Sequence, residues 1–113
     1  MRHQLGIMVR VPEAGTVKTR LLPALSPDDA CELYRAFLGD LFERLASARV
    51  RPSIFYSGGD VQPLRALLPA PWPLVPQPEG DLGARMLSAF NHLLAAPGSR
   101  AVLIGSDSPD LPL

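Results

Sequence analysis

The chain has 113 residues, which is enough for one small domain with a single hydrophobic core. Its 47% hydrophobic and 19% charged residues are typical of a globular protein and exclude a disordered one. Eleven basic and eleven acidic side chains cancel, so no net charge attracts nucleic acid or an anionic membrane. The single cysteine, Cys31, excludes an internal disulfide and fits a reducing compartment. We therefore expect a cytoplasmic protein that binds neither nucleic acid nor membrane.

The first half of the chain predicts a strand followed by a long helix. Residues 5–11 are an apolar run broken only by a glycine and Arg10, which predicts a central strand. Ser26 can cap a helix, and the proline and two acids that follow it suit a first helical turn. Apolar residues then recur at helical spacing to about Ala48, so this is the clearest amphipathic helix of the chain.

The second half repeats the alternation of strand and helix. Strands are predicted at residues 53–56, 74–75 and 101–104, with a short helix at 64–68. Asp81 can cap a further helix, whose predicted core face is Leu82, Met86, Phe90, Leu93 and Leu94. Strands joined by helical crossovers predict an α/β fold with a parallel sheet.

Two carboxylates follow the last predicted strand. Asp107 and Asp110 come directly after it, with Pro109 between them. Ligands of open α/β sheets bind outside the carboxyl ends of the strands, and carboxylate oxygens suit a hard divalent cation. The alternative is that both aspartates only form a turn, for which Asp is favoured.

The segment after the first strand carries two cations. Lys18 and Arg20 lie close to Gly15, among neighbours that are largely uncharged. The segment lacks both the dinucleotide-binding glycine motif and the P-loop, so neither site is supported. A guanidinium and an ammonium can still bind an anion such as phosphate. The alternative is a pair of solvated loop cations.

The segment after the third strand is rich in glycine and opens a helix. Gly80 and Gly83 would let a planar ligand approach the backbone closely. The Gln77 amide can donate and accept hydrogen bonds, which suits the edge of a nucleobase. Arg85, one turn into the helix, could contact a phosphate or form an ion pair with Glu79.

Three motifs in order resemble one protein family. They are Pro-x-x-Gly-x-Val-Lys-Thr-Arg-Leu at 12–21, Gln-x-x-Gly-Asp-Leu-Gly-x-Arg-Met at 77–86 and Ile-Gly-Ser-Asp-Ser-Pro-Asp-Leu at 104–111. The chain resembles DUF2064, bacterial glycosyltransferase A-type proteins also called selenodomain-associated transferases. Their wider relatives are nucleotide-sugar glycosyltransferases and small nucleotidyltransferases. The resemblance implies a Rossmann-like three-layer sandwich, the N-terminal half of a nucleotide-diphospho-sugar transferase fold.

The resemblance also implies a role for each motif. It implies contacts to nucleotide phosphates at Gly15, Lys18 and Arg20. It implies base binding at Gln77, Gly80 and Gly83, with Arg85 as a further phosphate contact. It implies binding of Mg²⁺ or Mn²⁺ at Asp107, with Asp110 as a weaker candidate. A metal and cations would neutralise the charge of a departing nucleoside diphosphate or pyrophosphate.

Full-length members of that family continue past the motif at 104–111 into a second half. We therefore expect residues 1–113 to form one nucleotide-binding domain that lacks the acceptor half. The first hypothesis is a metal-dependent transferase with a nucleotide-activated donor, most simply a nucleotide-sugar glycosyltransferase acting on a small-molecule acceptor. The alternatives are a nucleotidyltransferase acting on a phosphorylated small molecule, and a non-catalytic nucleotide-binding or assembly module. The last strand is expected to expose an edge that could pair with a second copy.

Overall fold

A parallel sheet between helices forms the body of the protein. The computed structural model describes residues 2–12 and 26–105. In chain order the elements are β1 (Arg2–Arg10), α1 (Pro27–Ser47), β2 (Ser53–Ser57), α2 (Gln62–Arg65), β3 (Leu74–Pro76), α3 (Leu82–Leu93) and β4 (Ser99–Gly105). The strands pair in the order β3-β2-β1-β4, and every pair is parallel. This arrangement confirms the predicted α/β fold and the central position of the first strand.

The two faces of the sheet carry different helices. Ile7 and Val9 of β1 pack in one buried cluster with the α1 residues Tyr34, Leu38 and Phe42. The α2 residue Leu64 and the connector residue Trp72 belong to the same cluster. On the opposite face, Met8 of β1 packs with Ala89 and Leu93 of α3. Side chains that alternate along β1 therefore separate an α1 layer from an α3 layer, which gives the predicted three layers.

Side-chain caps fix where the helices begin. The Ser26 hydroxyl accepts a hydrogen bond from the Asp29 N–H at 3.1 Å, and Asp81 Oδ1 accepts one from the Ala84 N–H at 2.8 Å. Both predicted caps are confirmed. The short helix was predicted at 64–68 but runs from Gln62 to Arg65; its N-cap, Val61, makes no side-chain capping bond, and Asp60 Oδ1 before it accepts a hydrogen bond from the Gln62 N–H at 3.0 Å. Each cap satisfies a backbone donor that the helix itself leaves without an acceptor.

The predicted core face of α3 is partly wrong. Leu93 is buried as expected, but Leu82, Met86 and Leu94 are 64%, 37% and 46% exposed, and Ala89 takes a core position instead. Helical spacing identified an apolar stripe, but it did not show how far the sheet extends beneath the helix. The first turns of α3 lie over a crevice at the carboxyl edge of the sheet, so their apolar side chains have no strand to cover.

Strand β4 forms one edge of the sheet in the part of the chain that the structure describes, because it pairs only with β1 there. Pairing of this edge with a second copy stays a prediction. Among the described residues, no helix is both long and apolar enough to cross a membrane.

Close packing of α3 on the sheet depends on a glycine in β1. A Cβ atom at Gly6 would lie 2.7 Å from Phe55 Cε2 and 2.8 Å from Leu93 Cδ1, whereas one at Gly39 in α1 would meet nothing within 4 Å. We predict that Gly6→Ala lowers the free energy of unfolding by about 1–3 kcal/mol through overpacking. Gly39→Ala is expected to raise it by up to about 1 kcal/mol, since alanine favours a helix interior. Urea unfolding measures both, and equal effects would contradict this packing.

Candidate functional site

The direction of the crossovers places a crevice between β1 and β4. Helix α1 connects β1 to β2, and α2 connects β2 to β3, so these strands are added on one side of β1. Helix α3 then connects β3 to β4, which pairs on the other side of β1. The two routes use opposite faces of the sheet, as right-handed connections require. The carboxyl ends of β1 and β4 therefore lie at a topological switch point, where open α/β sheets bind their ligands.

A cavity of about 490 Å³ lies at this point. Its floor comes from the carboxyl ends of the strands, and its roof from the β3–α3 connection and the first turns of α3. It is lined by Met8, Val9, Arg10, Ser57, Gln77, Gly80, Leu82, Arg85, Met86, Leu103, Ile104 and Gly105. This volume lies within the range of about 300–1,000 Å³ that is usual for small-molecule sites.

One row of polar residues crosses the floor of the cavity. Arg10 pairs in register with Ser57, and Tyr56 pairs with Pro76, the last residue of β3, which Gln77 follows directly. The Gln77 N–H donates to Tyr56 O at 2.8 Å, which extends the strand pairing by one step. Strand alternation turns the three members of this polar row, Arg10, Ser57 and Gln77, toward the α3 face.

The Gln77 side chain is held in one orientation. Its Nε2 donates to Phe55 O at 2.7 Å and lies 3.5 Å from Val9 O. A reversed amide would bring two carbonyl oxygens together, so the partners settle which end is nitrogen. The Oε1 atom accepts no hydrogen bond from the described residues and remains available as an acceptor. Base binding by Gln77 stays a prediction, but its amino group already has partners within the protein.

Two further predicted residues line the cavity. Gly80 adopts φ +128°, which favours glycine, and its carbonyl accepts a hydrogen bond from Arg85 Nε at 3.1 Å. The alternative ion pair between Arg85 and Glu79 does not form. Gly83 lies exposed in the first turn of α3 and does not line the cavity.

Arg10 lines the cavity, although in the sequence it stands out only as an interruption of an apolar strand. Its backbone N–H donates to Tyr34 Oη at 3.1 Å, and the next N–H, that of Val11, donates to Ser57 O at 2.8 Å. No hydrogen bond or ion pair to its guanidinium occurs within residues 2–12 and 26–105. The available signal was a single basic residue at the last position of an otherwise apolar central strand.

The described part of the cavity is positively charged. Arg10 and Arg85 line it, and no carboxylate is among the described lining residues. These residues also contain no group of three His, Cys, Asp or Glu side chains that could hold a metal ion. The remaining predicted site residues lie outside the described residues: Gly15, Lys18, Arg20, Asp107 and Asp110.

Comparisons with known proteins agree with this fold. A family model described as "Uncharacterized protein conserved in bacteria (DUF2064)" matches residues 29–113. A crystal structure of a "putative nucleotide-diphospho-sugar transferase" from Desulfovibrio desulfuricans G20 is 35% identical in sequence, with a TM-score of 0.80. The similarity covers 99% of this chain and 50% of that chain, so this chain spans about half the length of that relative. A search of curated proteins gives no match.

The hydrogen bond from Gln77 Nε2 to the Phe55 carbonyl is expected to stabilise the fold. We expect Gln77→Met to lower the free energy of unfolding by about 1 kcal/mol, because the Phe55 carbonyl loses its side-chain donor. Gln62→Met on α2, where the side chain is exposed, is the matched control and should change little. Urea unfolding of both variants checks this prediction, and equal losses would show that the Gln77 hydrogen bond does not stabilise the fold.

Proposed function

This chain belongs to the DUF2064 family, and from that premise we propose that it is the donor-binding part of a nucleotide-diphospho-sugar transferase. The observation that carries the proposal is the cavity at the switch point between β1 and β4. It lies where an open α/β sheet binds its ligand, and its described lining carries two guanidinium groups. The name of the solved relative supports the same class of donor.

The chemistry of the cavity suits both parts of a nucleotide. Apolar side chains such as Leu82, Met86 and Leu103 offer surfaces against which the plane of a base can pack. Gln77 Oε1 can accept a hydrogen bond from an N–H on the base edge, while the guanidinium groups can donate to phosphate oxygens. A ligand with an apolar plane and a multiply charged group is therefore complementary to this cavity.

Five predicted site residues outside residues 2–12 and 26–105 also belong to the proposed donor site. Lys18 and Arg20, with Gly15, would add phosphate contacts after β1. Asp107 follows the lining residue Gly105 by two positions, and we propose Asp107 and Asp110 as oxygen ligands for Mg²⁺ or Mn²⁺. Such a metal would neutralise charge on the diphosphate leaving group. For residues 1–113 the proposal covers binding of the donor.

The direct test is the effect of nucleotides on thermal stability. We expect at least one of UDP, GDP, dTDP, CDP and ADP, with Mn²⁺ present, to raise the melting temperature. A ligand at 100 times its Kd adds about 2.7 kcal/mol of stability. Asp107→Asn should abolish the part of the shift that depends on Mn²⁺, whereas the surface variant Asp40→Asn should preserve it.

Two results would count against this function. If no nucleoside diphosphate at millimolar concentration changes the melting temperature, donor binding is excluded and an assembly module is favoured. Release of pyrophosphate from a nucleoside triphosphate, without turnover of any nucleotide-sugar, would favour the nucleotidyltransferase alternative.

A further inference from the structure

We propose that Tyr34 is a positioning residue of the cavity: its hydroxyl ends the pairing of β1 with β4 and so keeps the crevice between these strands open. Tyr34 belongs to α1, outside the three sequence motifs, and is not among the residues that line the cavity. The inference rests on the proposed function and deepens it, because it names a residue that shapes the proposed donor site without touching the donor.

The first argument is the contact that the Tyr34 hydroxyl makes. The Arg10 N–H donates to Tyr34 Oη at 3.1 Å, across 24 positions of the chain. Tyr34 is fully buried, in the cluster that α1 forms with Ile7 and Val9 on one face of the sheet. The ring therefore packs in the core, while the hydroxyl reaches the backbone at the carboxyl end of β1.

The second argument is the side of β1 on which this contact lies. Successive N–H groups of a strand inside a sheet point in turn toward its two neighbouring strands. The Val11 N–H donates to Ser57 O of β2 at 2.8 Å, so the N–H of Arg10, one residue earlier, points to the β4 side. The Tyr34 hydroxyl thus accepts a hydrogen bond on the side where β4 pairs with β1.

The third argument is that this contact coincides with the point where the two strands separate. The register pairs β1 with β4 as far as Met8 and Gly105, and both of these residues line the cavity. The next donor of β1 on that side, the Arg10 N–H, is bonded to Tyr34. A backbone N–H is a single donor, so β4 cannot use this group while the hydroxyl accepts it. Tyr34 therefore takes the place of a strand acceptor at the floor of the crevice.

The same peptide group is also contacted at its other end. Val9 O and Arg10 N belong to one peptide group, and Gln77 Nε2 lies 3.5 Å from Val9 O. The carboxyl end of β1 is therefore held by a side chain of α1 and by one that follows β3. An edge that is already fixed loses little freedom when a ligand binds, which favours affinity. Removal of the Tyr34 hydroxyl would loosen this edge and weaken binding in the cavity.

The test removes the hydroxyl and keeps the ring. Calorimetric titration with UDP, GDP, dTDP, CDP and ADP, each with Mn²⁺, measures Kd for the wild type and for Tyr34→Phe. We expect Tyr34→Phe to raise the Kd of the preferred diphosphate about 3–10-fold, the scale of one hydrogen bond. Tyr56→Phe alters the only other tyrosine, which packs against the same cluster and does not line the cavity. This matched control should bind like the wild type.

Hydrogen exchange separates positioning from a general loss of stability. We expect the Arg10 amide of Tyr34→Phe, measured by NMR without ligand, to exchange about 10 times faster than in the wild type, whereas the Ile7 amide in the middle of β1 keeps its rate. A substitution that only destabilised the whole fold would speed both amides by the same factor.

The outcomes separate this inference from the proposed function. If none of the five diphosphates binds the wild type, donor binding is wrong and Tyr34 positions no donor. If one binds the wild type and Tyr34→Phe with equal Kd, or if the Arg10 amide gains no more exchange than the Ile7 amide, the role of Tyr34 is wrong and donor binding stands. Circular dichroism verifies the fold of each variant. Exchange of the wild-type Arg10 amide at the rate of an unprotected amide would contradict the contact even if Tyr34→Phe did not fold.

Discussion

The constraint on which this structure depends is the position of β1, which has β2 on one side and β4 on the other, reached by crossovers that use opposite faces of the sheet. A chain that adds β2 and then β3 on one side of β1 must cross back over β2 and β1 before β4 can pair on the other side. Right-handed connections then put α1 and α3 on different faces. Within residues 2–12 and 26–105 no helix lies across the carboxyl ends of both β1 and β4, and the cavity occupies that space.

The same constraint explains why polar residues are retained at the end of an apolar sheet. Ile7, Met8 and Val9 are buried between helices, whereas Arg10 one step later reaches the open edge. Ser57 and Gln77 mark the corresponding step on β2 and β3. The Gln77 side chain connects the three strands by donating to backbone carbonyl oxygens. The polar row is therefore part of the sheet and also part of the floor of the cavity.

Features that depend on near neighbours in sequence were predictable. Ser26 and Asp81 cap their helices through bonds that span three residues, and the long helix follows from a local apolar period. The position of the cavity at the carboxyl edge also followed, because alternating strands and helices leave few other topologies. The place of Arg10 in the cavity did not follow, since it depends on the register that sets Arg10 beside Ser57, 47 positions later in the chain. The exposure of Leu82 and Met86 was missed for a related reason, because periodicity gives the face of a helix and not the extent of the sheet below it.

The central claim is that one nucleotide occupies the crevice between β1 and β4. The most direct measurement is a ¹⁵N-resolved NMR titration of the protein with the nucleoside diphosphate that stabilises it most. We expect saturable shifts of the Gln77 side-chain amide, the Arg85 Nε–H group and the Gly105 amide, while the Gly39 amide on α1 stays unchanged. Saturable binding that leaves Gln77, Arg85 and Gly105 unaffected would place the nucleotide elsewhere and contradict the account.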